Sequence, residues 1–197
     1  MLVFSKEKLV VFSVPKTGTT AIEKALSPHA AITVMDPPEL KHAPVYRYNR
    51  FFRPMIEKFI GEDVETIAVI REPVSWLGSW YRFRQRPFMQ GKPNATHDLS
   101  FDAFVEGYLS DPRPGFANVG AQSKFLEPRP NGTSIDRLFR YENLDRLVAY
   151  LEERLGQKID LPRVNVSPVM ELTLSEPLQA RLRHAFPKDF ELWQGAE

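Results

Sequence analysis

Val14-Pro-Lys-Thr-Gly-Thr-Thr20 joins Leu9-Val-Val-Phe-Ser-Val14, a β-branched apolar run, to Thr19-Thr-Ala-Ile-Glu-Lys-Ala-Leu26. The first run reads as a buried strand. In the second, Ala21, Ile22, Ala25 and Leu26 recur at helical spacing and form one apolar face. A turn from strand to helix aims free backbone N–H groups and the positive helix end at one place, which suits an anion. Gly18 allows the backbone to turn closely, Lys16 brings a mobile positive charge, and Thr19 and Thr20 bring hydroxyls. A lone Gly-Thr pair reads as ordinary helix capping. The whole Pro-Lys-Thr-Gly-Thr-Thr string in this setting reads as a phosphate loop. It departs from the nucleoside-triphosphate loop, in which Gly-Lys-Ser/Thr follows four spacer residues, because Lys16 precedes Gly18 and no earlier glycine is present.

Outward from this loop, Ala31–Met35 and Glu65–Ile70 read as strands, and so does Ile135–Tyr141. Helical patterns cover Phe51–Ile60, Val74–Phe83, Phe101–Leu109, Leu144–Leu155 and Leu174–Phe186. In the first of these, Phe52, Met55, Ile56, Phe59 and Ile60 are expected on one side. Residues 85–98 and 110–134 read as irregular, with room for a short helix at Gln122–Leu126. Alternating strands and helices predict an α/β fold of three layers, a central parallel sheet flanked by helices with right-handed crossovers. With 197 residues and no linker separating two cores, one domain over 1–197 is expected.

A second junction follows the clearest strand, in Ile70-Arg-Glu-Pro-Val-Ser-Trp-Leu-Gly-Ser79. Arg71 stands at the carboxyl end of its strand, where ligands bind in open α/β sheets. Pro73 suits the first helical position. Ser79 lies about 9 Å further along the helix, within reach of an arginine, and Ser75 shares its face. Glu72 is the only acid at this strand end, whereas a triphosphate enzyme needs an acidic magnesium ligand there. Alone, Arg71 reads as a surface ion-pair partner; paired with the first loop, it reads as a second anion contact.

Together the two junctions resemble the sulfotransferases that use 3′-phosphoadenosine-5′-phosphosulfate (PAPS), a P-loop-like nucleotide-binding fold, and most closely the family 2 branch that contains carbohydrate sulfotransferases. The resemblance implies that Lys16, Thr17, Gly18, Thr19 and Thr20 bind the 5′-phosphosulfate and that Arg71 and Ser79 bind the 3′-phosphate. Phe139-Arg-Tyr-Glu-Asn-Leu144 resembles the family's Tyr-Glu-Asp-Leu segment, with Tyr141 near the adenine and Asn143 in place of Asp. Val164-Asn-Val-Ser167 and Asp189-Phe-Glu-Leu192 resemble its C-terminal region, and residues 84–134 match nothing in it. The chemistry implied is in-line transfer of a sulfuryl group from PAPS to a hydroxyl acceptor, a sugar or small molecule, leaving PAP and needing no metal. Lys16 would stabilise the charge that grows on the bridging oxygen. His42, in Glu39-Leu-Lys-His-Ala-Pro44, is the first candidate for the base, with Glu39 and Asp36 as rivals. The family separates its Lys and His by one residue, whereas Lys41 and His42 adjoin.

Composition narrows the alternatives. Twenty-six Lys and Arg against 25 Asp and Glu give a net charge of +1, a poor basis for nucleic-acid binding. No cysteine is present, which excludes disulfides, thiolate catalysis and cysteine zinc sites. No apolar run approaches the ~20 residues of a membrane span, and charges interrupt the first residues before a signal core forms. A cytoplasmic chain is expected, and the Asn-x-Ser/Thr triplets at Asn94, Asn131 and Asn165 then lack a secretory context. No sequence feature specifies an oligomeric state. Ser79–Pro93 carries Arg82, Arg84, Arg86 and Lys92 without an acid, interleaved with Tyr81, Phe83 and Phe88. It reads either as a mouth for an acidic or sugar-like acceptor or as a solvated helix end over core aromatics. Trp76 and Trp80 read as core. Two other readings stand beside the transferase: a P-loop phosphotransferase, and a non-catalytic nucleotide- or anion-binding module.

Overall fold

A computed structural model describes residues 1–162 and 170–197. Five strands form one sheet: β1 (Leu2–Phe4), β2 (Leu9–Val11), β3 (Ile32–Thr33), β4 (Glu65–Ile70) and β5 (Arg137–Arg140), in the order β3-β1-β2-β4-β5. β2 runs parallel to β4, with Leu9 opposite Glu65 and Val11 opposite Ile67. β4 runs parallel to β5, with Ile67 opposite Arg137 and Ile70 opposite Arg140. The parallel sheet expected from the alternation is therefore present in three adjacent strands, β2, β4 and β5. β1 departs from it, pairing antiparallel with both β2 and β3. Three residues are too few to show a period, so β1 is silent in the sequence, although each of its side chains is at most 1% exposed.

Alternation along the strands divides the core between two faces. Val3, Val10, Phe12, Ala68 and Ile70 face one way and meet Val45, Tyr48, Ile56 and Phe125. Leu9, Val11, Ile67, Val69 and Phe139 face the other way. They meet Ile22 and Leu26 of α1 (Thr19–Leu26) and Leu147 and Leu151 of α8 (Leu144–Leu155). Helices thus cover both faces, giving the three layers. Beyond the sheet, α5 (Pro73–Arg84) packs through Trp76, Leu77 and Tyr81 onto α6 (Phe101–Leu109) and α9 (Glu176–Ala185).

Two elements differ from expectation. The helix expected at 51–60 belongs to a longer run: α3 (Val45–Arg47), a π-helical turn (Tyr48–Phe52) and α4 (Arg53–Phe59). Its buried stripe is Val45, Tyr48 and Ile56, joined by half-buried Phe52 and Ile60, whereas Met55 and Phe59 are 39% and 75% exposed. The i, i+4 spacing of 48, 52, 56 and 60 wins the inner face, and 55 and 59 fall outside it. At the end of the chain, α9 stops at Ala185 and α10 (Pro187–Gly195) restarts behind Pro187 at its first position. Among the described residues no helix is long and apolar enough to cross a membrane.

Candidate active site

Parallel pairing sends β2, β4 and β5 out of the same edge of the sheet, so the segments after them meet there. Those segments are the loop 14–18, Arg71-Glu72 and Tyr141. In the first, Lys16 and Gly18 take left-handed backbone conformations, with φ of 67° and 79°. Glycine adopts that conformation freely and lysine does not, so strain is held at Lys16. Among the described residues none of the N–H groups of residues 16–20 donates to a backbone carbonyl, and α1 begins with its first donors open. Thr17 is fully buried and donates its hydroxyl to the Val14 carbonyl at 2.9 Å. It therefore fixes the loop with its side chain and offers outward only its N–H.

The Lys16 ammonium lies 4.0 Å from the Phe83 ring centre and 5.3 Å from that of Trp80. Burial, then the charges of Arg86, Arg71 and Arg82, lower its pKa from 10.5 to about 7. Burial also lowers the pKa of Arg71 and of Arg82, which stay cationic as arginines do. None of these four cations forms a salt bridge among the described residues, and the segment 163–169 contains no acid. Glu72, the acid nearest in sequence, is occupied: its side chain accepts the Ser75 N–H at 2.7 Å as the cap of α5. The site is a desolvated concentration of positive charge beside unpaired N–H groups.

Arg71 is held from several sides. Its Nε donates to Ser75 Oγ at 2.9 Å, and its guanidinium lies 4.2 Å over the Tyr141 ring. Tyr141 also closes against Gly18, where a Cβ would stand 3.2 Å from the ring. The fully buried Gln122, in α7 (Gln122–Phe125), accepts the Arg71 N–H at 2.9 Å and donates to its carbonyl at 2.8 Å. Glu142 accepts the Glu72 N–H at 2.9 Å and the Trp193 indole N–H at 3.1 Å. Trp76 donates its indole N–H to the Pro15 carbonyl at 2.9 Å, fastening α5 to the loop. Lys16, Gly18, Arg71 and Tyr141 are thus brought together. Ser79 is buried one turn beyond Ser75 on α5 and has no hydrogen bond to Arg71 among the described residues.

His42 follows the short helix α2 (Pro38–Lys41), and its Nδ1 is 2.6 Å from the Ser13 carbonyl. A carbonyl can only accept, so Nδ1 carries the hydrogen and Nε2 is left as the proton acceptor. Burial is the main cause that lowers the His42 pKa below its ordinary 6.5. Adjacent Lys41 turns away to Glu23 Oε2 at 2.6 Å, and Glu23, 1% exposed, also accepts from Ser13 Oγ at 3.0 Å. His42 and Lys41 are therefore both tied to the strand end that leads into the loop. Asp36 and Glu39 are exposed.

Sequence reasoning missed Gln122 and Glu23 as parts of the site and read Trp80 as core, whereas Phe83 belongs to the stretch it offered as a mouth. A buried Gln in an irregular stretch carries no pattern, and Glu23 passes as a helix polar. Arg84 departs from the mouth reading: it is 6% exposed and donates to the carbonyls of Gly115, Phe116 and Asn118. Arg86 keeps the mouth position, stacked 5.3 Å over Phe83. Asp189, in the C-terminal motif, accepts the Ser123 N–H at 2.8 Å and thereby anchors α7. The Val164–Ser167 motif lies outside the described residues. Among the described residues no group of three or more His, Asp or Glu side chains converges as a metal site. A polar cleft of about 140 Å³ lies at the opposite, amino-terminal end of β4, lined by Tyr48, Arg53, Thr66 and Asp136, away from this chemistry.

The family model described as Sulfotransferase family, family 2, matches residues 1–194 of the 197-residue chain. No curated protein matches the chain.

Proposed function

Since the chain belongs to the sulfotransferase family, we propose that it is one domain of P-loop type that transfers a sulfuryl group from PAPS to a hydroxyl acceptor without a metal. The observation that carries this reading is the cluster of Lys16, Arg71, Arg82 and Arg86, in no salt bridge among the described residues, beside the open N–H groups of residues 16–20. Burial, and after it the like charges of Arg86, Arg71 and Arg82, lower the Lys16 pKa to about 7, and an anion bound among these cations relieves their repulsion. This donor set fits a nucleotide with phosphate groups at both ends, one at the loop and one at Arg71.

When bound, PAPS supplies the sulfuryl group, and PAP leaves as the acceptor oxygen joins sulfur. Each residue of the chain has a separate task in this scheme. The N–H groups from Lys16 to Thr20 hold the 5′-phosphate, with the hydroxyls of Thr19 and Thr20 available beside them. Lys16 holds a proton where the bridging oxygen gains charge, and such a contact strengthens as the bond breaks. His42 Nε2 takes the proton of the acceptor hydroxyl, for which its neutral form is required. Arg71 orients the 3′-phosphate, aided by Ser75 and by Ser79 one turn on, while Tyr141 supplies a flat face for the base. The Arg86 and Phe83 end of α5 borders Lys16 and suits an acceptor with polar and ring surfaces, a sugar among them.

The capped Glu72 weighs against the phosphotransferase reading, since its carboxylate is committed to α5 and that of neighbouring Glu142 to the Glu72 and Trp193 N–H groups. The test is transfer of labelled sulfate from PAPS to a panel of sugar, phenol and alcohol acceptors without metal. Lys16→Ala is expected to lower turnover on the best acceptor about 100- to 1000-fold. Equal turnover by the variant, or magnesium-dependent phosphoryl transfer from ATP, would contradict the reading.

A further inference from the structure

The run from Val45 to Phe59 has an unusual outer face. Its inner stripe, Val45, Tyr48 and Ile56, is buried on the sheet. Its exposed positions are Tyr46, Arg50, Phe51, Met55, Lys58 and Phe59, together with Pro54. A helix face turned to water is normally polar, with both charge signs. Here four of the exposed side chains are large and apolar: Tyr46 at 46% exposure, Phe51 at 60%, Met55 at 39% and Phe59 at 75%. The two charged residues on this face are both cations, and each stands over its aromatic neighbour. Arg50 lies 5.3 Å from the Phe51 ring centre and Lys58 lies 5.4 Å from that of Phe59. The acid of the run, Glu57, is half-buried on the flank and paired with Arg53.

We propose that this face docks on an anionic lipid surface. Exposed aromatics at a helix surface enter the headgroup boundary, and lysine and arginine beside them meet lipid phosphates. The alternation of Phe51 and Phe59 with Arg50 and Lys58 supplies both contacts from one side of one run. Charge complementarity selects the occupant. In a two-fold contact with a second copy, each cation would face the same patch on its partner, with no acid to receive it. An anionic bilayer meets every cation with a phosphate and accepts the rings at the same depth. The net charge of +1 gives little long-range attraction, so binding depends on this patch and falls with salt. The inference stands apart from the sulfotransferase reading, because none of these residues belongs to the site around Lys16.

The test is sedimentation with unilamellar vesicles of phosphatidylcholine containing a quarter phosphatidylserine, against vesicles of phosphatidylcholine alone. The protein is expected to sediment with the anionic vesicles only. Phe51→Ser with Phe59→Ser, and separately Arg50→Glu with Lys58→Glu, are each expected to weaken partitioning at least tenfold with an unchanged melting curve. A measurement on the unaltered protein accompanies them: acetylation of Lys58, read by mass spectrometry, is expected to slow when anionic vesicles are added. Absence of binding, binding that both variants retain, or acetylation of Lys58 indifferent to vesicles would overturn the proposal. So would a dimer in light scattering that the same substitutions dissolve.

Discussion

Lys16 is tuned by where it sits. A lysine enclosed by Phe83 and Trp80 and facing three arginines is disfavoured as a cation, and its pKa falls to about 7. In the unfolded chain it titrates near its ordinary 10.5. Between these values the unfolded state binds more protons, so the ligand-free protein gains stability as pH rises from about 7 towards 10.5. Lys16→Met removes the penalty and is expected to raise the melting temperature at pH 7 by roughly 2–4 °C, the shift that about 1 kcal/mol gives a chain of this size. Scanning calorimetry checks it, and the same variant should lose nucleotide affinity. His42 makes a different prediction. Burial holds its pKa below 6.5, so it is neutral at pH 7 and its acid limb lies on the low side of 6.5. Turnover is expected to hold down to about pH 6.5 and to decline below it. His42→Ala is expected to lose about 100- to 10,000-fold in kcat and to abolish that limb, as a pH–rate profile would record.

At the scale of elements, the site depends on parts that look unrelated to it. Gln122 satisfies both backbone groups of Arg71, and Asp189 of α10 anchors the helix that carries Gln122. Gln122→Ala leaves a buried N–H and C=O unpaired, at about 1–3 kcal/mol each. It is expected to lower stability by that order and to weaken 3′-phosphate binding, read by denaturation and by comparing nucleotides with and without that phosphate. The phosphate loop, the Arg71 junction and the strand ending at Tyr141 were legible because each couples a hydrophobic run to a turn with marked residues. Gln122 was not, since its importance lies in two backbone bonds to a residue 51 positions away. Arg84 misled for a related reason. It shares a basic stretch with Arg82 and Arg86, yet the carbonyls of the 115–118 turn draw it inward. Over Phe51–Ile60 the sequence pattern sets Met55 and Phe59 on the same side as Phe52, Ile56 and Ile60, but one π-helical turn and a stripe at 48, 52, 56 and 60 decide the inner face and leave those two outside.

In the molecule as a whole, the parallel pairing of β2, β4 and β5 gathers Lys16, Arg71 and Tyr141 from distant parts of the chain at one sheet edge. The alternation of strands and helices predicted the parallel sheet, and the family resemblance pointed to Tyr141 as a third member of the site. The antiparallel β1 strand was not predictable, since its burial comes from neighbours on both sides. A net charge of +1 conceals a locally strong positive site, because the nearby acids Glu72 and Glu142 are engaged by the N–H groups of Ser75, Glu72 and Trp193. The central claim is that this concentration of unpaired cations is a bisphosphate nucleotide site. Calorimetry with 3′,5′-adenosine bisphosphate, without metal, at pH 7 and pH 8 in buffers of different ionisation enthalpy, tests it most directly. Affinity is expected to weaken about fivefold from pH 7 to pH 8 as Lys16 must regain a proton, with proton uptake close to one per nucleotide at pH 8. Arg71→Ala is expected to weaken binding at least tenfold, about 1.4 kcal/mol. No binding, or binding indifferent both to Arg71 and to pH, would contradict the account.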